Sequence, residues 1–201
     1  KAAENENLKI ISITDHDTCT AYNELKKIDV RQYYSGEIIT GVELKTIVDG
    51  IQIELLGYNV DPDYINNEVS KLYLSKRKKR AIEKTRLLAK CKEIGLDLDS
   101  DYIEEYDLNE EYAGRFIYEE IKKTNSNKSF FKDNQFPADF TIFYRGHMTN
   151  PNSPFFIEMN DIVPSVDKVI NLIKKSGGLV FVPHIFIYKE NAKKILTYLL
   201  D

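Results

Sequence analysis

Three places in this sequence carry side chains that could do chemistry together. Asp15-His16-Asp17 follows one apolar segment, Gly41-Val42-Glu43 lies in a second, and Pro183-His184 ends a third. In α/β sheets and barrels, reactive groups collect at the C-terminal ends of strands, so His16, Glu43 and His184 are expected to converge. Two imidazoles and a carboxylate suit a borderline divalent ion such as zinc, manganese or iron. Asp15 and Asp17 would then sit behind His16 and orient it. A histidine after a strand also serves as a hydrogen-bonded structural residue, and spacing alone leaves both readings open. The chain has only three histidines, His16, His147 and His184, so a site built mainly from histidine cannot be assembled from these residues.

Other chemistries find no support. There is no G-x-S-x-G elbow, and Cys19, near His16, has no third group to orient it. There is no Walker A loop and no G-x-G-x-x-G, and Gly177-Gly178 reads as a helix-to-strand turn. The basic block Lys76-Arg77-Lys78-Lys79-Arg80 reads as a solvated helix face, with a nucleic-acid patch as the sharper alternative. The acidic run at residues 97–111 would neutralise it. A net charge of -4 gives no general reason to expect nucleic acid. Two cysteines are too few for a disulfide framework, so a reducing, cytoplasmic setting is expected. No apolar run approaches the roughly 18 residues of a membrane span.

The elements that must position these residues read as α/β. Residues 8–14 are β-branched and apolar, as in a strand buried on both faces. Residues 21–27 make a short helix capped by Thr18 or Thr20. Residues 37–44 and 51–58 are strands, with the Asp49-Gly50 turn before the second. From Asp61 to about Gly95, apolar residues recur at spacings a long helix can use, between an Asp61-Pro62 start and a Gly95 stop. A helix is expected over 110–123 and a polar loop over 124–137, and Asn150-Pro151 opens a clear break. Residues 165–175 form a helix ended by Ser176-Gly177-Gly178, residues 179–182 a buried strand, and residues 189–200 a last helix. With 201 residues this is one ordinary domain, or one domain with an insert. Both ends run into helical patterns, so a piece of a longer polypeptide is expected.

Five stretches, in order, resemble motifs of the PHP family, the polymerase and histidinol phosphatase superfamily. ISITDHDT at 11–18 resembles its TDHD motif, Gly41-Val42-Glu43 its G-x-E motif, and IELLGY at 53–58 its H-L-L-G-Y strand. Residues 77–98 resemble the basic helix that opens an inserted domain, and GGLVFVPH at 177–184 resembles the strand that ends in AHP. The resemblance covers most of the chain, least between 124 and 159. It implies a partial, distorted (β/α)7 barrel with an inserted helical subdomain. Residues 1–60 would begin the barrel, 61–155 would hold the long helix and insert, and 156–201 would continue the barrel. It also implies two or three divalent ions (zinc, manganese or iron) in the complete site. His16, Glu43 and His184 would be ligands, with Glu43 bridging and with His16 and Glu43 at the reacting centre. The implied reaction is attack of metal-activated water on a phosphoester.

The chain departs from that pattern at definite places. The H-x-H and D-x-H motifs are expected outside these residues. Glu54 stands where the H-L-L-G-Y histidine belongs, and since a carboxylate ligates the same ions, Glu54 joins the implied ligands. Gly114-Arg115-Phe116-Ile117 replaces G-R-P-H, keeping Arg115 as a phosphate contact and lacking the histidine. Ile185 replaces the proline after the AHP histidine, and His147 matches no ligand and reads as a loop residue. The function expected is hydrolysis of a small phosphorylated metabolite or nucleotide. The alternative is a degenerate, non-catalytic PHP domain that binds a ligand or partner. A partial barrel would expose apolar strand edges, so self-association is expected; a membrane or nucleic-acid partner is not.

Overall fold

Alternating apolar and polar residues between positions 37 and 58 fold into a long hairpin that organises half of the molecule. In this computed structural model, which describes residues 1–96, 98 and 113–200, strand β1 (Ile10–Ile13) runs parallel to β2 (Glu37–Val48). Strand β2 is antiparallel to β3 (Ile51–Tyr58), and β3 to β4 (Leu179–Phe181), giving a mixed four-stranded sheet. Asp49 and Gly50 close the hairpin with φ of 46° and 80°, the left-handed pair of a tight two-residue turn. One face buries Val42, Leu44, Val48, Ile53 and Leu55. The other face holds Glu43, Lys45, Gln52 and Glu54, all half-buried.

The chain forms two compact units, Lys1–Tyr73 with Asn160–Asp201, and Leu74–Met159. In the first, helices α1 (Ala2–Asn5), α2 (Thr20–Leu25) and α3 (Pro62–Leu72) precede the second unit in the chain. Its buried sheet face packs with Ile65 and Val69 of α3 and with Val166, Val169 and Ile173. The second unit holds α4 (Lys76–Glu93), α5 (Ala113–Ile121), α6 (Asn125–Asp133) and α7 (Phe140–Phe143). Leu87, Ile117, Tyr118, Phe131, Phe143 and Phe155 form its core, and the Tyr118 and Phe143 rings lie 4.8 Å apart. The chain returns to the first unit with α8 (Val166–Lys175), β4 and α9 (Asn191–Leu200). No helix among the described residues is long and apolar enough to cross a membrane.

Several expectations are corrected. The long helix is two, α3 and α4. Tyr73 is extended and its hydroxyl donates to the Lys45 carbonyl (2.7 Å), while the Ser75 side chain caps α4 by accepting from the Lys78 amide. Periodicity runs through this break because both helices bury apolar stripes. Strands β1 and β4 are not buried but lie at the sheet's two ends, with Ile10 57%, Leu179 64% and Phe181 49% exposed. Apolar composition says that a strand is covered somewhere and does not say where it stands in the sheet. Residues 124–137 are not a loop throughout. Thr124 accepts from the Asn127 amide and starts α6, whose inward residue Phe131 is buried. His147 is not a loop histidine but lies in a π-turn over Tyr144–Met148, with its ring 4.7 Å from Phe136 and 5.2 Å from Phe143. Burial there lowers its pKa. In the basic block Lys76, Arg77 and Lys78 are exposed, but Arg80 is buried. The acidic run that would neutralise it lies, Leu98 aside, outside the described residues.

Candidate metal centre

The site begins where β1 ends. The chain continues beside β2 in unbroken register, so that Ile13 faces Thr40 and His16 faces Glu43. The Glu43 amide donates to the Asp15 carbonyl (3.1 Å), and the Asp17 amide to the Glu43 carbonyl (2.8 Å). Asp17 then turns the chain away with φ of 55°, and its carboxylate accepts from the Lys45 amide (3.2 Å). Below this junction the buried Tyr22 hydroxyl donates to the Ile13 carbonyl and accepts from the Gly41 amide, both at 2.7 Å. A Cβ on Gly41 would collide with Ser12 and Thr14. Glycine therefore lets β1 approach closely enough to bring His16 beside Glu43.

The hairpin supplies the carboxylates. Its register pairs Glu43 with Leu56 and Lys45 with Glu54, which puts Glu43 and Glu54 diagonally on the same half-buried face. The Glu54 amide, beyond the end of β4, donates to the Tyr188 hydroxyl (3.1 Å). His184 arrives from β4 with φ of 36° and ψ of 42°, a conformation unfavourable by roughly 1–3 kcal/mol for a residue with a Cβ. Strain of this kind concentrates at functional sites.

Four side chains from these segments meet. His184 Nε2 lies 3.2 Å from Glu43 Oε1 and 3.1 Å from Glu54 Oε2. His16 Nε2 lies 3.8 Å from Glu43 Oε2, and His16 Nδ1 lies 3.6 Å from Glu54 Oε1. The carboxylates are the deeper pair, with side chains 15% and 20% exposed; His184 is 36% exposed and His16 55%. His16, Glu43 and Glu54 each present a ligand atom within 4.8 Å of the others.

The structure thus brings His16, Glu43, Glu54 and His184 together. Asp15 contributes its backbone carbonyl and Asp17 binds the Lys45 amide; neither carboxylate hydrogen-bonds the His16 ring among the described contacts. Arg115 stands exposed on α5 of the second unit, and Ile117 is fully buried in that unit's core. Cys19 is no nucleophile: burial first, then the charges of Asp15 and Asp61, push its thiol up to about 12. The two tyrosines that frame the site, Tyr22 and Tyr188, carry no sequence signal, because their hydroxyls act on backbone atoms distant in the chain.

No family model matches the chain, and no curated protein sequence does. Solved structures do. A solved structure of an amidohydrolase from Chromobacterium violaceum, with bound sulfate and no metal, aligns over 98% of this chain with a TM-score of 0.56 and 15% identity. That of a protein provisionally assigned as a metal-dependent phosphoesterase, from Bifidobacterium adolescentis, aligns over 99% with a TM-score of 0.54 and 14% identity. The chain shares its fold with hydrolases. It spans 66% of the length of each of these two chains.

Proposed function

We propose that the chain is a metal-dependent phosphoester hydrolase of the PHP type, with a small phosphorylated metabolite or nucleotide as substrate. Its sheet would be an arc of the distorted (β/α)7 barrel. The observation that carries this reading is the convergence of His16, Glu43, Glu54 and His184, from separate segments, into one cluster of two imidazoles and two carboxylates. That donor set fits zinc, manganese or iron. The folds of an amidohydrolase that holds sulfate and of an assigned phosphoesterase support it.

His16, Glu43, Glu54 and His184 would hold a divalent ion, which would supply Lewis-acid polarisation of the phosphoryl group and an acidified water. Glu43 and Glu54 each lie against both imidazoles, and the resemblance would give the bridging role to Glu43. Glu54 is fixed through its own amide on Tyr188. His16, the most exposed of the four, faces the solvent from which substrate arrives. Asp17 holds the loop that carries His16, acting through the Lys45 amide. Arg115 is assigned to a phosphate oxygen on the resemblance.

Metal analysis and assays with p-nitrophenyl phosphate test the reading. The chain is expected to take up manganese or zinc and to hydrolyse the ester with it. Glu43→Gln and Glu54→Gln are expected each to lower metal affinity by about tenfold or more. No metal uptake, or equal uptake by both variants, would overturn the proposal. Ile117 favours a second reading, ligand binding without catalysis, because a buried aliphatic side chain stands where the resemblance places a histidine. That reading predicts metal uptake with no turnover of any phosphoester.

A further inference from the structure

The second unit contains a pocket of about 410 Å³, within the range of roughly 300–1,000 Å³ that small-molecule sites occupy. It forms where α5 and α6 end. Gln135, with φ of 54°, turns the chain back after α6, and the Phe136 amide donates to the Phe131 carbonyl (3.0 Å). The next residue is fixed too, because the Tyr118 hydroxyl donates to the Pro137 carbonyl (2.9 Å). These walls are set before any ligand arrives, so binding carries little ordering cost.

The lining divides by chemistry. Half-buried Phe136 meets the buried Phe131 ring edge-on at 5.3 Å, and Phe131 meets Tyr118 edge-on at 5.8 Å, which makes an aromatic floor. Lys122, Lys128 and Lys132 line the same pocket, and among the described residues no carboxylate does. Lys122 is committed, with its ammonium 4.4 Å from the Tyr118 ring centroid and 3.6 Å from Glu119. Lys128 and Lys132 stand about one turn apart on α6, both exposed, and neither ammonium is paired among the described residues. Like charges at this spacing repel and weaken a helix, and an anion between them removes that cost.

We propose that this pocket binds a small aromatic carboxylate, with its ring against Phe136 and its carboxylate between Lys128 and Lys132. A planar ring has no internal torsions to freeze, whereas a flexible acyl chain folded into the same space does. The site is built from second-unit residues alone and needs no metal.

Naphthalene-2-carboxylate is the probe, with its neutral amide as control. The chain has no tryptophan, so fluorescence anisotropy of the probe reads binding without a tryptophan background. The full chain is titrated in EDTA, which keeps metal from the cluster around Glu43. The parent is expected to bind the carboxylate about tenfold more tightly than the amide. Lys128→Gln with Lys132→Gln should erase that difference and leave the amide as it was; glutamine is a good helix former, so α6 persists. Phe136→Leu should weaken both ligands, and Phe181→Lys, on the exposed strand edge, should weaken neither. No binding by the parent, equal binding of carboxylate and amide, or undiminished carboxylate binding in the double lysine variant overturns the proposal. So does unchanged binding in Phe136→Leu, or loss of binding in Phe181→Lys, which would place the probe on the strand edge.

Discussion

Residue by residue, the centre is a mixture of what chemistry announces and what only geometry arranges. His16 and His184 announce themselves through their type and their place after strands. Glu54 announces itself only as a departure, since a carboxylate in a strand is otherwise unremarkable; its oxygens against both imidazoles make it part of the cluster. The cysteines show the opposite case. Cys19 lies three residues from His16, yet it is buried and its sulfur approaches the Gly41 carbonyl at 3.5 Å. Burial pushes Cys19 and Cys91 each up to about 12. The folded chain therefore holds these protons more tightly than the unfolded one. Their contribution to stability is complete below the ordinary thiol value of 9.0 and fades as pH rises toward 12. Neither thiol is expected to react with a disulfide reagent at pH 8 until denaturant is added. Prompt labelling of the native chain would contradict the burial.

Among the elements, β2 decides the most. It pairs β1 in parallel and β3 in antiparallel, and Gly41 is the point where all three demands meet. Its amide serves Tyr22, its missing side chain admits β1, and its carbonyl lies against Cys19. Gly41→Ala must push β1 and the His16 loop away from β2. Overpacking of this kind costs roughly 1–3 kcal/mol. The variant is expected to melt lower and to bind manganese more weakly than the parent, whereas Gly50→Ala, strained by its φ of 80° but with open space around it, should melt lower while keeping its metal affinity. Equal metal affinity in Gly41→Ala would mean that the His16 loop does not depend on this approach. The hairpin itself is legible in the sequence because a period of two is local. The break between α3 and α4 is not, because it depends on Tyr73 reaching Lys45, 28 residues away.

For the whole molecule, the notable surface is apolar. Ile10, Leu179, Phe181 and Phe186 are exposed, Phe186 at 89%. Strands β1 and β4 end the sheet with unpaired edges among the described residues. Exposed apolar edges template pairing with another chain. Sedimentation is expected to show concentration-dependent association of this chain, reduced by Phe181→Lys, which sets a charge on that edge. A single monomeric species across the concentration range would refute it.

What the amino-acid sequence determined by itself was local: the alternation of β2 and β3, the Asp49-Gly50 turn, and through that turn a register that puts Glu43 and Glu54 on one face. It also carried the donor types and, in the stretches resembling PHP motifs, their order along the chain. Tertiary structure alone decided that β1 and β4 stand at the sheet's ends, that His16 and His184 close on the two carboxylates, and that Tyr22 and Tyr188 hold the frame. The reason is physical. Side-chain period and turn chemistry act over a few residues, whereas His184 meets Glu43 across 141 residues of chain, through strand pairings whose partners no local pattern can name.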